Sequence, residues 1–224
     1  MNTERHIHKH LKYLQNQASN EAVKSSSVTQ VDFYDRHADE YCRSTVALDM
    51  SNVYERFLNE LAPGAHILDA GCGSGRDTNA FLERGYFVTA FNGSPQMAQF
   101  ASLHTGQKCR VLRFQEMEFR QEFEGVWACA SLLHVPKSEM EDVLRRLVRA
   151  LKPDGIVYFS FIEGEGERVS SDGRLYNSYT AESLRGLLGG ISAVQELACW
   201  KSDEIRSPAQ RAPWLNFLFK KATQ

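Results

Sequence analysis

The sequence lacks the features of membrane, secreted and disulfide-rich proteins. Its 224 residues contain no run of about 18 apolar residues, and the N-terminal stretch is polar where a secretion signal needs an apolar core. The five cysteines are scattered, odd in number and without a Cys-x-x-Cys pair, which favours reduced thiols. From these absences we expect a cytoplasmic protein with no membrane partner.

A large excess of one charge sign is also missing. The formal net charge is −2 and the sequence pI is about 6.4. The chain therefore has no broad basic field, and no nucleic-acid partner is expected. The length and the hydrophobic content of 42% are sufficient for one globular domain with short additions.

The N-terminal segment differs in composition from the rest of the chain. Residues 1–30 are rich in Lys, His, Asn, Gln and Ser and are predicted to be partly disordered. Residues 31–224 are predicted to form the folded domain. His6, His8 and His10 are interpreted as part of a solvated tail, so no metal site is predicted.

A glycine-rich turn follows the first predicted strand. Residues 66–77 read as an apolar strand, a turn with Gly71, Gly73 and Gly75, and a helix start. Glycines at these positions allow positive φ and let a ligand approach the backbone closely. The later glycine of the dinucleotide fingerprint and the Gly-Lys-Ser/Thr of a phosphate loop are both absent. Since Asp69 would repel phosphate but pair with an ammonium or sulfonium group, the turn predicts a nucleoside pocket.

A second strand completes a βαβ unit. A helix is predicted over residues 77–84, Gly85 ends it, and residues 86–91 form the next strand. In such a unit the end of the second strand holds a ribose diol. That position is Asn92, whose neutral amide oxygen accepts a weaker hydrogen bond than a carboxylate does.

The segment after the fourth predicted strand carries the candidate catalytic residues. Strands one and four flank the point where the strand order reverses, so residues 130–134 face the reacting centre. The small side chain of Ser131 leaves room there. His134 is the candidate general base, because a neutral imidazole accepts a proton near pH 7. A capping or purely structural hydrogen bond is the alternative role for His134.

Three motifs resemble the class I S-adenosylmethionine (SAM) dependent methyltransferases. Residues 69–75 resemble motif I of that family, residues 34–41 its Tyr-Asp-x-x-Ala-x-x-Tyr segment, and residues 151–155 its Leu-Lys-Pro-x-Gly segment. The resemblance covers residues 31–221. It implies an α/β Rossmann-like fold with helices on both faces of a mostly parallel, seven-stranded sheet, closed by a C-terminal antiparallel hairpin over residues 194–200 and 214–219.

The resemblance also implies a cofactor site for SAM, with S-adenosylhomocysteine (SAH) as product. The helix bearing Tyr34 and Tyr41 is expected to close over it as a lid. Residues after the third strand are expected beside the adenine. The implied cofactor-binding residues are Tyr34, Tyr41, Asp69, Gly71, Cys72, Gly73, Gly75, Asn92, Gly93, Ser94, Met97, Gln115, Glu116, Met117, Ala130 and Ser131.

The expected function is methyl transfer to a small-molecule acceptor by in-line displacement. Arg168 and Arg174 are candidates for clamping an anionic acceptor, with surface ion pairs as the alternative. Asp203, Arg206 and Arg211 are expected at the pocket rim. The protein is expected to be a monomer or a homodimer.

Finer resemblances leave two other functions open. Residues 127–136 and 214–216 resemble a bacterial subfamily described as tellurite-resistance-like, in which Lys commonly follows Ser-Phe at the fifth strand, whereas Ile162 stands here. Together with Asn92, this departure allows a SAM-binding protein without turnover. An RNA methyltransferase using a local basic surface around Arg145, Arg146 and Arg149 is the other alternative.

Overall fold

This computed structural model describes residues 30–191, 194–203 and 213–222. The predicted disordered segment up to residue 29, with His6, His8 and His10, lies outside the described residues, as do Arg206 and Arg211. The helices are α1 (residues 30–45), α2 (Ser51–Leu58), α3 (Arg76–Glu83), α4 (Pro95–Thr105), α5 (Lys137–Ala150) and α6 (Ala181–Gly189). The strands are β1 (His66–Ala70), β2 (Phe87–Asn92), β3 (Cys109–Val111), β4 (Phe123–Ala128), β5 (Leu151–Glu163), β6 (Glu167–Val169), β7 (Leu175–Tyr179), β8 (Val194–Ser202) and β9 (Trp214–Lys221).

The strands form one mixed sheet with a parallel centre. Its main path runs β3-β2-β1-β4-β5-β7-β6, and β9 joins β5 and β8 in antiparallel pairings. Strand β1 pairs in parallel with both β2 and β4, so the strand order reverses between β1 and β4. The predicted Rossmann-like methyltransferase fold and its C-terminal hairpin are confirmed. The carboxyl ends of β1 and β4 are where such a sheet binds a ligand.

The number of strands differs from the expected seven, since the described sheet has nine. The additional pair is the β6–β7 hairpin, in a region predicted as loop and turn. Along β7 the residues alternate between buried and half-buried, with Leu175, Asn177 and Tyr179 inward. A buried asparagine in that series hides the two-residue hydrophobic period from the sequence pattern.

Alternating strand residues sort the core onto two faces. On one face Leu68 and Val126 pack with the buried side of α5, and on the other Ile67 and Trp127 pack with α2 and α3. This alternation follows from the two-residue period of a strand. Burial of both faces explains why the central strands read as continuous apolar runs.

The helix α1 lies against α4. Ala38 and Cys42 of α1 are buried with Met97 of α4, and Tyr34 and Tyr41 pack beside them. As predicted, Ser94 is the N-cap of α4, accepting a hydrogen bond from the Met97 N–H, and Pro95 opens the helix. Within the described residues, none of the helices has the length and apolar character needed to span a membrane.

Candidate active site

The three glycines of the turn after β1 all have positive φ angles, but their surroundings differ. The angles are 81° at Gly71, 55° at Gly73 and 78° at Gly75. A Cβ on Gly71 would lie 2.6 Å from the Cβ of Ser131, and one on Gly75 would lie 2.9 Å from Cγ2 of Thr105. At Gly73 an added Cβ would have more room: among the described residues, the Tyr41 ring at 3.9 Å is its nearest contact. Gly71 and Gly75 therefore permit close packing within the protein, whereas Gly73 leaves space for a ligand.

Two cavities meet at this turn. The larger has a volume of about 340 Å³ and the smaller about 130 Å³. Among the described residues, six line both cavities: Tyr34, Tyr41, Gly71, Gly73, Ala130 and His134. The junction therefore lies between the glycine turn, the segment after β4 and helix α1. This placement brings together the motif at residues 69–75, the aromatic residues of the predicted lid and the candidate general base.

Most predicted cofactor residues line a cavity. Five of them are shared residues, all but His134; Cys72 lines the larger cavity, and a second group lines the smaller one: Asn92, Gly93, Ser94, Met97, Gln115 and Ser131. Four predicted residues line neither: Asp69, Gly75, Glu116 and Met117. The short helical turn at Phe114–Glu116 directs Met117 into the core, where it is fully buried, and Glu116 accepts a hydrogen bond from the Arg113 N–H of the same turn.

Asn92 has its amide oxygen engaged. Its Oδ1 accepts a hydrogen bond of 2.9 Å from the Ser94 N–H. The amide nitrogen can only donate. An amide oxygen has two lone pairs, so Oδ1 keeps one acceptor position, and its predicted hydrogen bond from a ribose hydroxyl stays a prediction.

Asp69 lies beneath the glycine turn. Its carboxylate accepts a hydrogen bond of 2.5 Å from the Thr78 hydroxyl, and it is almost fully buried. Burial and the neighbouring Asp77 raise the pKa of Asp69 to about 8, against the lowering effect of the Thr78 hydrogen bond. Instead of facing a cationic ligand from the cavity wall, Asp69 joins β1 to α3.

A second buried carboxylate, that of Asp77, lies at the wall of the larger cavity. Asp77 accepts hydrogen bonds from Arg76 (2.6 Å), Tyr54 (2.5 Å) and Trp127 (2.8 Å). Burial opposes its charge, but Arg76 and these hydrogen bonds hold the pKa of Asp77 below its ordinary value. Arg76 and Asp77 both line the larger cavity. Sequence reasoning missed this cluster, although an acid in the first turn of α3 is a recognisable signal.

His134 is hydrogen-bonded through both ring nitrogens. Its Nδ1 lies 2.7 Å from the Leu175 carbonyl oxygen, and its Nε2 lies 2.8 Å from the Tyr34 hydroxyl. A carbonyl only accepts, so Nδ1 carries the proton and the neutral ring accepts at Nε2. The site thus combines the predicted basic nitrogen with a structural hydrogen bond that fixes its tautomer.

The hydroxyl of Ser131 is used within the protein. It donates a hydrogen bond of 2.8 Å to the carbonyl of Ala70, at the end of β1. The preceding residue, Ala130, has a φ of 49° and its N–H donates to the Ser160 hydroxyl at 2.9 Å. These bonds hold the segment after β4 in a conformation that non-glycine residues rarely adopt. Ser131 therefore shapes the cavity wall.

The two candidate arginines have different positions. Arg174 lines the larger cavity, binds Asp172 through two nitrogens at 3.0 and 2.7 Å, and stacks over Phe33. Arg168 lies over the Tyr176 ring and lines neither cavity. Of the two predicted clamping arginines, Arg174 lies at a cavity and Arg168 does not. Asp203 lines the larger cavity, as expected at its rim.

Gln30 is a lining residue that the sequence does not reveal. It is 8% exposed, and its Oε1 accepts a hydrogen bond of 3.0 Å from the N–H of Leu175. Its Nε2 has no hydrogen-bond partner among the described residues, and the residue lines the smaller cavity. A buried orphaned donor at a cavity wall fits a ligand that carries acceptor atoms.

The fold is that of the Rossmann-like methyltransferases, and the central part of the chain matches a known family. Residues 68–159 match the family described as a methyltransferase domain. The chain is 31% identical over 105 residues to the ubiquinone biosynthesis O-methyltransferase of Xanthomonas campestris pv. campestris, covering 44% of this chain and 43% of that protein. It thus spans less than half the length of that relative.

Two further proteins are similar over a larger share of the chain. The 1,6-didemethyltoxoflavin-N1-methyltransferase of Burkholderia thailandensis superposes with a TM-score of 0.71 at 25% identity, covering 92% of this chain and 90% of that one. The magnesium protoporphyrin IX methyltransferase of Synechocystis PCC 6803 has a TM-score of 0.68 at 14% identity, covering 88% and 97%. The latter likeness concerns the fold alone.

Proposed function

We propose that this protein is a SAM-dependent methyltransferase that transfers a methyl group to a small-molecule acceptor. The observation that carries the proposal is the meeting of two cavities at the glycine turn, with His134 and Tyr34 at their junction. A two-substrate transfer needs such an arrangement, in which the two reacting groups are held in contact. The similarity to the small-molecule methyltransferases described above supports the proposal.

The residues present fit the cofactor. The smaller cavity would hold the adenosine, between Asn92, Met97 and Gln115, with the orphaned Nε2 of Gln30 as a donor to it. The turn at Gly73 would approach the centre of the cofactor, and its amino-acid end would reach toward Arg76 in the larger cavity. When bound, SAM supplies a methyl group already activated on a sulfonium.

The chain's own contribution is positioning and proton removal. The cavity walls would hold the acceptor in line with the methyl group, and Tyr34 and Tyr41 of α1 form part of the walls at the junction. His134 is the base for an acceptor that enters protonated, because its Nε2 is the unprotonated nitrogen. A carboxylate or another ionised acceptor needs no such step.

The rest of the larger cavity favours a planar aromatic acceptor. Its walls carry Tyr158, Tyr176 and Trp214, and Arg174 supplies one cation among them. Aromatic walls bind flat rings by stacking. Ile162 lines the same cavity where the tellurite-resistance-like proteins commonly have Lys, so β5 adds no second cation at this position. Membership of that subfamily remains an interpretation of the sequence motifs.

Calorimetric titration with SAM and SAH tests the cofactor proposal first. Binding with a dissociation constant in the micromolar range is expected. A screen of phenolic and heteroaromatic acceptors with SAM labelled in the methyl group then tests transfer. Binding without transfer across the screen would favour the non-catalytic alternative, and absence of binding would overturn the proposal. Salt-sensitive RNA retention would favour the RNA methyltransferase.

A further inference from the structure

The basic nitrogen of His134, Nε2, faces the hydroxyl of Tyr34. The Leu175 carbonyl fixes the proton on Nδ1, and the lone pair of Nε2 accepts the Tyr34 hydroxyl at 2.8 Å. A direct proton transfer from an acceptor to Nε2 would first require Tyr34 to leave this position. The hydroxyl of Tyr34 is therefore the group that meets a protonated acceptor when α1 is closed.

The surroundings of Tyr34 suit a phenol that transfers protons. Tyr34 lines both cavities at their junction. Burial and the neighbouring Tyr41 and Tyr176 raise its pKa far above the ordinary range, so the phenol rests in its protonated form. The positive charge of the Arg174 guanidinium acts in the opposite direction and lowers the pKa of Tyr34. The charge of Arg174 would therefore stabilise negative charge that develops on the Tyr34 oxygen.

This inference rests on the proposed function. We infer that Tyr34 is the catalytic residue that receives the acceptor's proton and passes its own proton to His134. The acceptor's O–H or N–H bond breaks, and its proton binds the Tyr34 oxygen. The Tyr34 O–H bond breaks in the same step, and its proton binds Nε2 of His134. The acceptor's electron pair forms the new bond to the methyl carbon, and the electron pair of the broken carbon–sulfur bond stays on sulfur. The imidazolium then releases one proton to water.

This relay assigns different roles to three residues. Tyr34 touches the acceptor, His134 accepts the proton of Tyr34, and Arg174 is a positioning residue whose positive charge acts on the Tyr34 oxygen. Asp172 holds Arg174 in place through two hydrogen bonds. If Tyr34 only oriented the imidazole, its hydroxyl would be dispensable for acceptors of every kind.

The ring nitrogens of His134 test the arrangement without an acceptor. ¹⁵N NMR of the protein, with the His134 signals assigned by a His134→Gln variant, is expected to show a protonated Nδ1 and an unprotonated, hydrogen-bonded Nε2 at neutral pH. Tyr34→Phe is expected to shift the Nε2 resonance toward that of a free ring nitrogen. A protonated Nε2 in the neutral ring, or an unchanged resonance in Tyr34→Phe, would overturn the relay.

Kinetics with paired acceptors test the chemistry. For a phenol from the acceptor screen and its thiophenol counterpart, which is ionised in solution, Tyr34→Phe is expected to lower kcat about 100-fold with the phenol and about twofold or less with the thiophenol. Equal losses with both acceptors, or no loss with either, would contradict the relay. Tyr86→Phe is the matched control, because Tyr86 lines neither cavity.

Calorimetry separates this inference from the proposed function. Tyr34→Phe is expected to keep SAH affinity within a few-fold of the original protein. If the original protein itself does not bind SAH, the proposed function fails. The NMR measurement on the free protein then still judges the Tyr34–His134 pair.

Discussion

The carboxylate of Asp35 on α1 accepts a hydrogen bond from the hydroxyl of Ser94, the N-cap of α4. The same carboxylate oxygen also accepts from the Gln96 N–H at 3.1 Å. One side chain of α1 thus binds the first turn of α4, the helix that follows Asn92. This contact joins the position of α1 to the part of the smaller cavity where the ribose of the proposed cofactor would lie.

Asp35→Ala is expected to weaken SAH binding. Loss of a partly buried hydrogen bond of this kind costs about 1 kcal/mol, which corresponds to about a fivefold higher dissociation constant. Titration calorimetry measures it. Asp39→Ala is the matched control, since Asp39 lies on the same helix and pairs only at the surface with Arg43. An equal effect of both substitutions would contradict a specific role for Asp35.

Asn92→Asp is expected to tighten SAH binding by about threefold to tenfold, since charged hydrogen bonds are about twice as strong as neutral ones. One carboxylate oxygen would accept from the Ser94 N–H as the amide oxygen does now. The other oxygen would accept from a ribose hydroxyl with its own lone pairs, whereas in Asn92 a single neutral oxygen would serve both donors. Calorimetry on both proteins decides the matter, and weaker binding by the Asp variant would count against this placement of the ribose.

The stability of the protein is expected to fall as pH rises toward 8 because of Asp69. The pKa of this carboxyl is about 8 in the folded protein and about 3.9 in an unfolded chain. The folded state therefore binds the proton more tightly, and its contribution to stability is complete below pH 4 and is lost as pH rises through the folded pKa.

Urea unfolding of the original protein and of Asp69→Asn between pH 5 and pH 8.5 measures this effect. The variant keeps a neutral side chain at every pH, so its free energy of unfolding is expected to change less over that interval. Thr78→Val is a useful companion, because it removes the hydrogen bond to Asp69 without removing the carboxyl. Parallel pH dependence in the original protein and Asp69→Asn would refute the assignment.

Asp77→Ala is expected to destabilise the protein by about 3–5 kcal/mol, because it leaves the largely buried Arg76 without its partner. Chemical unfolding gives the number directly. The exposed pair of Glu141 and Arg145 provides the control, since loss of such a pair costs at most about 1 kcal/mol. A small effect of Asp77→Ala would mean that Arg76 finds water or another acceptor.

The local part of this architecture is readable from the sequence. The strand, glycine turn and helix at residues 66–84 depend on neighbours within a few positions, and the structure has them as predicted. The βαβ order then places the carboxyl ends of β1 and β4 side by side. For these reasons most of the predicted cofactor residues line one of the two cavities.

The contacts that complete the site are not local. Tyr34 and His134 are 100 positions apart, and Gln30 and Leu175 are 145 apart, so no spacing in the sequence signals either pair. The direction of Met117 was equally hidden, because it depends on a single short helical turn after β3. The β6–β7 hairpin that supplies Leu175 was read as a loop, and the tautomer of His134 could not be inferred without it.

Leu175 contributes to the site through its backbone alone, with its N–H bound to Gln30 and its carbonyl bound to His134. Substitution of a side chain does not remove these groups. Exchange of the Tyr176 side chain, which lies at the larger cavity, is therefore expected to leave the tautomer of the imidazole unchanged. On the proposed function, position 176 could be altered for another acceptor without changing which ring nitrogen of His134 is basic.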